Sequence, residues 1–198
     1  MESLIPKLFN QIPQLDQRQR FILGIDGLSR SGKTTFTKEM IEIFQKKKVS
    51  FCLFHMDDFI VDKEKRYNTG NEEWIEYYQL QWDVGWLTEH FFTKLKKSKE
   101  LTLPFYESSI GKQNWQDIRL PDVNLIAVEG IFLQRKEWRD YFDYMIYLDS
   151  SREIRFNRES SITKKNIDKF KNRYCIAEEY YLKTVNPKEL ADLVIRNE

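Results

Sequence analysis

The sequence predicts an α/β fold, a doubly wound, mostly parallel sheet flanked by helices. Three observations lead there. Short apolar runs at Phe21 to Ile25, Ser50 to His55, Val123 to Val128, Met145 to Leu148 and Leu193 to Ile195 read as buried strands. Helical periodicities stand between them, the alternation that builds a parallel sheet. A glycine loop, Gly27-Leu28-Ser29-Arg30-Ser31-Gly32-Lys33-Thr34, follows the first run and opens a helix. Its length of 198 residues suits one domain, expected to cover residues 1–198.

Along the chain, Leu4, Ile5, Leu8, Phe9 and Ile12 suit a short amphipathic helix that ends before Pro13. The loop comes next. Two glycines enclosing four residues, then Lys and Thr, form the P-loop pattern. Glycine adopts backbone angles that a Cβ resists, so the loop can curl with its N–H groups inward. Those groups and the helix N-terminus make an anion site. The expected nucleotide contacts are Gly27, Ser29, Arg30, Ser31, Gly32, Lys33, Thr34 and Thr35. Lys33 is expected on the β- and γ-phosphates and the Thr34 hydroxyl on Mg²⁺. Gly24, Gly27 and Gly32 lack the G-x-G-x-x-G spacing of a dinucleotide site. Phe36, Met40, Ile43 and Phe44 then mark the buried face of the following helix.

The second strand runs into Met56-Asp57-Asp58-Phe59. Carboxylates at the carboxyl end of a strand lie where an open α/β sheet places its site, and one could accept the proton of an attacking hydroxyl. Asp57 and Asp58 are both candidates, with a turn cap as the alternative. His55 reads as a strand-end or core histidine. Trp74, Tyr78, Trp82 and Trp86 recur every four residues and read as one helix stripe, core or ligand wall. Asp83 within it is either a helix cap or a ligand for hydroxyls. Leu101 to Tyr106 reads as a short strand demoted toward an edge by Pro104, and Ser108 to Asp117 as a polar loop. Glu129, ending the clearest strand, is expected in the Mg²⁺ shell. Trp138 to Phe142 suggests a short helix. Arg152, Arg155 and Arg158 then fall every three residues, suited to a migrating phosphoryl group or to pairing with nearby glutamates. In the last helix Ile167, Phe170, Tyr174, Ala177 and Tyr181 form a seam. Lys165, Lys169 and Arg173 share another face, either solvated or closing over phosphates.

Composition narrows the classes. Net charge is +1, so no global case exists for nucleic acid or an anionic membrane. Two cysteines, Cys52 and Cys175, offer neither a disulfide framework nor zinc spacing. The N-terminus lacks the apolar run of a signal peptide and no stretch is long enough to span a bilayer, so a cytoplasmic protein is expected.

These elements together resemble the uridine kinase branch of the P-loop small-molecule kinases, with its uridine, nicotinamide riboside, pantothenate and phosphoribulose kinases. The resemblance runs from Phe21 to about Ile195. It rests on Gly27 to Thr34, Met56-Asp57-Asp58-Phe59, Trp82-Asp83-Val84, Pro104-Phe105-Tyr106, Glu129-Gly130-Ile131, the arginines after Asp149, and Pro187 to Ile195. It implies ATP and Mg²⁺ as cofactors and Asp57 as the base. It implies Asp83 and Tyr106 on the acceptor side, where Asp57, Asp58 and Arg66 are also expected. It also implies Arg155 and Arg158 as lid arginines on ATP and the transition state, with the lid at about residues 150–165, and Thr34 and Glu129 in the Mg²⁺ shell. The chain departs where family uridine kinases carry a Tyr after the first Asp, since Phe59 and Ile60 follow here. Ser160-Ser161-Ile162-Thr163 also replaces an Arg-Gly-Arg-like stretch, which shortens the lid.

The expected activity is phosphorylation of a hydroxyl on a small, ribose-bearing acceptor such as uridine, by a monomer or an oligomer. Nicotinamide riboside, pantothenate and a sugar phosphate are the alternative acceptors. A nucleotide switch is the alternative class, although no Asn-Lys-x-Asp guanine-reading element is present.

Overall fold

The computed structural model describes residues 20–120, 123, 125–165 and 167–198; the expected N-terminal helix lies outside them. In chain order the elements are β1 (Phe21–Asp26), α1 (Lys33–Lys46), β2 (Phe51–His55), α2 (Glu73–Tyr78), α3 (Val84–His90), β3 (Glu100–Glu107), β4 (Lys112–Arg119), β5 (Leu125–Glu129) and β6 (Tyr144–Asp149). Then come α4 (Arg152–Asn157), α5 (Ser161–Lys165), α6 (Ile167–Lys169), a π-helical turn (Phe170–Cys175), α7 (Ile176–Val185), α8 (Pro187–Leu190) and β7 (Leu193–Arg196).

Five strands form a wholly parallel sheet in the order β2-β5-β1-β6-β7. Both its faces are covered, which explains why β1, β5 and most of β6 read as continuous apolar runs rather than alternating ones. On one face Phe21, Leu23 and Ile25 pack with Leu125, Ala127, Ile146 and Leu148 against Phe36, Met40 and Phe44 of α1. On the other, Ile22, Phe54, Ile126 and Val128 join Trp82, Phe91, Phe132, Trp138 and Tyr181. The chain leaves β1 toward β2 on one side and reaches β6 on the other, so the order reverses beside β1. A crevice opens at the strands' carboxyl ends at such a switch. Register there is tight: Ile25 and His55 both lie opposite Glu129.

Four expectations are corrected. The aromatic stripe is two short helices, because the Asp83 carboxylate accepts from Trp86 N at 3.0 Å and starts a new helix there. Trp82 falls between them, buried, donating its indole N–H to the Met56 carbonyl at 2.8 Å. The polar stretch after Ser108 is mostly strand: β4 pairs antiparallel with β3 as a separate ribbon, with Pro104 opposite Trp115. Its polarity hid it, since β4 is solvated on both faces. Each strand of a two-stranded ribbon keeps one edge free, which accommodates Pro104. The expected helix at Trp138 is only a 3₁₀ turn, Arg139–Tyr141. In the last helical stretch Ile167 is exposed, and Arg173, expected on a solvated or phosphate-closing face, is buried against Glu76 at 2.9 Å.

Candidate active site

A cavity of about 410 Å³ opens at the carboxyl ends of β1, β2 and β5. The glycine loop forms its floor. Gly32 adopts φ +96°, and a Cβ there would stand 2.1 Å from Asn197 Nδ2, so only glycine fits. Gly32 brings no capping side chain to α1, and the first N–H groups of a helix have no partner within it. Those of Lys33, Thr34 and Thr35 therefore face the site as donors.

The carbonyls of the loop are all engaged elsewhere. The Lys33 ammonium lies on those of Gly27 and Leu28 at 2.8 and 3.1 Å. Arg155 donates to Ser29 O at 3.1 Å, Arg158 to Arg30 O at 3.2 Å and Asn197 to Ser31 O at 2.8 Å. Phe36 N closes on Gly32 O at 3.0 Å, the first turn of α1. With its acceptors tied down from outside, the loop presents donors to the cavity.

Across the floor stand Asp57, from the turn after β2, and Glu129, the last residue of β5. Asp57 is exposed at the cavity, with enough protein around it to desolvate its carboxyl in part. That desolvation pushes its carboxyl above the usual range; Lys33 opposes the shift and Glu129 adds to it. Asp58 is half-buried and is not among the residues that line the cavity, whereas Asp57 is. The Glu129 carboxylate meets His55 Nδ1 at 2.6 Å, a hydrogen bond that raises the His55 pKa. A strand-end histidine was all the sequence offered for His55. Its partnership comes from two neighbouring parallel strands in register.

Of the other expected residues, Ser29, Arg30, Gly32, Thr34, Thr35 and Arg158 line the cavity with Lys33. Ser31 is buried behind the loop, its amide on Leu28 O at 3.1 Å. Gly27 also sits behind, its amide on Asp26 Oδ1 at 2.8 Å. Asp26, wholly buried, also accepts from Tyr181 and Gln134; burial raises its pKa. Arg155 does not reach the cavity: its guanidinium is buried against Glu178. Asp83 caps α3 and lies away from the cavity. Arg66 and Tyr106 meet each other, Arg66 Nη2 donating to the Tyr106 hydroxyl at 2.8 Å. They form an outer group with Tyr67, joined to the cavity through Arg173 and Tyr77. Tyr77, Gly130 and Ile131 line the cavity and were not expected there.

The donor set fits a divalent cation. Two carboxylates and the Thr34 hydroxyl, all hard oxygen donors, face one cavity, and the carboxylates of Asp57 and Glu129 repel one another across it. Thr34 and Glu129 are the residues that would hold Mg²⁺.

A wholly parallel sheet, a phosphate-binding loop between β1 and α1, and carboxylates at the adjacent strand ends define a P-loop kinase. The Phosphoribulokinase / Uridine kinase family model matches residues 22–197, and the chain belongs to that family. It is 28% identical over 190 residues to a uridine kinase of Borrelia duttonii (strain Ly), covering 88% of this chain and 85% of that protein. A structure described as a possible uridine kinase from Bacillus stearothermophilus is similar over 98% of this chain and 100% of its own, at 47% identity and TM-score 0.86. Phosphoribulokinase from Rhodobacter spheroides shares the fold, at 15% identity and TM-score 0.63, over 91% of this chain and 71% of its own.

Proposed function

We propose that the protein transfers the γ-phosphoryl group of ATP to a hydroxyl of a small acceptor, a nucleoside such as uridine. One observation carries this reading: Asp57 shares a single cavity with Lys33, Thr34, Glu129 and Arg158. The acceptor hydroxyl attacks the γ-phosphorus as its proton passes to Asp57. The bond from the γ-phosphorus to the β–γ bridging oxygen breaks, and ADP leaves. Lys33, the α1 amides and Arg158 stabilise charge on the equatorial oxygens, so the protein contributes positioning and electrostatics. Thr34 and Glu129 would hold Mg²⁺, which when bound would supply charge neutralisation. Residues 1–198 act as one kinase domain, with the segment from about 150 to 165 as its lid.

A second reading concerns the acceptor. Arg66, Lys169 and Arg173 stand over the Tyr67 ring at 4.8, 5.0 and 4.1 Å. Burial raises the Tyr67 phenol, but these three cations outweigh it and bring its pKa down. Arg173 is neutralised by Glu76, whereas no carboxylate pairs with Arg66 among the described residues. Asp83, meanwhile, is engaged as a helix cap. Three cations gathered on the Tyr67 ring favour an acceptor bearing a phosphate or carboxylate.

ADP release with Mg-ATP across uridine, cytidine, nicotinamide riboside, pantothenate and ribulose 5-phosphate tests both readings, with Asp57→Asn alongside. Stimulation by one acceptor, lost in the variant, supports the kinase and names its class. Equal slow release in every well would refute it in favour of a nucleotide switch.

A further inference from the structure

The phosphate loop is gripped from behind by a buried ion pair that takes no part in lining the cavity. Arg155 Nη1, from α4, approaches the two Glu178 oxygens, from α7, at 2.9 and 2.8 Å. Both side chains are nearly inaccessible, at 6% and 3% exposure. The pair closes on one residue of the loop. Glu178 Oε1 accepts from Ser29 N at 3.0 Å, and the same Arg155 Nη1 donates to Ser29 O at 3.1 Å. A further bond from Arg155 Nε to Ser150 O at 3.2 Å fixes the guanidinium to the end of β6.

Both polar groups of the Ser29 backbone are therefore held by charged atoms from two different helices. The next residue, Arg30, has φ +61°, a left-handed angle that non-glycine residues hold only when their surroundings impose it. The clamp sits immediately before this strained residue and three residues before Gly32. Arg158, three positions after Arg155, grips Arg30 O from the same helix end.

We propose that Arg155 and Glu178 are positioning residues, holding the loop in its donor-inward form through Ser29. This rests on the reading of the site as a nucleotide site. It also gives Arg155 a role different from a direct hold on the phosphoryl group. Loss of either charge leaves the other buried without its counter-ion and loosens one of the two holds on the Ser29 backbone. Nucleotide affinity then falls, while acceptor KM stays unchanged.

The molecule contains its own control. Arg152 and Glu179 join the same two helices at 2.6 Å, exposed, and neither touches the loop. Glu179→Gln removes a tie between α4 and α7 and spares Ser29. The experiment is calorimetric titration of a non-hydrolysable ATP analogue with Mg²⁺ into the full chain, without acceptor. It compares wild type with Glu178→Gln, Arg155→Met, Arg155→Lys and Glu179→Gln, and melting curves are recorded for each. The expected result is about tenfold weaker binding in Glu178→Gln and Arg155→Met, partial recovery in Arg155→Lys, and no change in Glu179→Gln. Wild-type affinity in Glu178→Gln and Arg155→Met would overturn the proposal, as would an equal loss in Glu179→Gln. Unfolding of both Glu178→Gln and Arg155→Lys would also overturn it, since the pair would then hold the fold rather than the loop. Absence of binding by the wild type would instead refute the nucleotide site itself.

Discussion

Replacing Arg173 with Met isolates the buried pair that anchors the last helical stretch to α2. Arg173 donates to Glu76 Oε2 at 2.9 Å, to Arg66 O at 3.1 Å and to Glu73 O at 3.3 Å, and its side chain is 1% exposed. Removing one member of such a pair strands a buried charge, at a cost of about 3–5 kcal/mol. Glu76 would keep two donors, Thr69 N at 2.8 Å and Thr69 Oγ1 at 3.0 Å, which places the cost at the lower end. For a chain of this size that lowers Tm by roughly 6–12 °C. The double variant Arg173→Met with Glu76→Gln carries no stranded charge and should recover part of the loss. Burial raises the Glu76 carboxyl, but the Thr69 bonds and Arg173 outweigh it, so its folded pKa lies below the usual 4.5. A depressed carboxylate contributes stability that is present above 4.5 and lost as pH falls through the folded value. Wild type should therefore lose stability on acidification in that window, and Glu76→Gln should lose less. Melting curves of the four proteins at pH 7, repeated down to pH 3, check this. A Tm change under about 2 °C in Arg173→Met, or a double variant no better than the single, would refute the reasoning.

Three other expectations concern the site. Asp57→Asn should lower turnover by about 10²–10⁴ while leaving nucleotide affinity within a few-fold, read by steady-state kinetics and titration. The Asp57 pKa is raised and only its ionised form accepts a proton, so activity should appear as pH climbs through a value above 3.8. An acid limb of kcat/KM at or below 3.8 would contradict that assignment. Gly32→Ala places a Cβ at φ +96° against Asn197 and should weaken nucleotide binding by roughly tenfold or more, measured by titration.

What the sequence determined by itself is local. The phosphate loop is written in eight consecutive residues because its geometry is set by backbone angles and the helix it opens. The central strands β1, β5 and β6 were legible because burial on both faces demands continuous apolar runs. Asp57 and Glu129 stood out because they end such strands, where the sheet's topology places a site. What only the tertiary structure decided are the partners. His55 meets Glu129 across 74 positions, Arg173 meets Glu76 across 97, and Ser29 meets Glu178 across 149. The three-residue arginine spacing put Arg155 and Arg158 on one helix face. It could not tell that one would be buried in an ion pair and the other would line the cavity, nor that Asp83 would cap a helix. A side chain's chemistry is fixed by its atoms, but its role depends on which distant group the fold brings within 3 Å, and local periodicity carries no record of that.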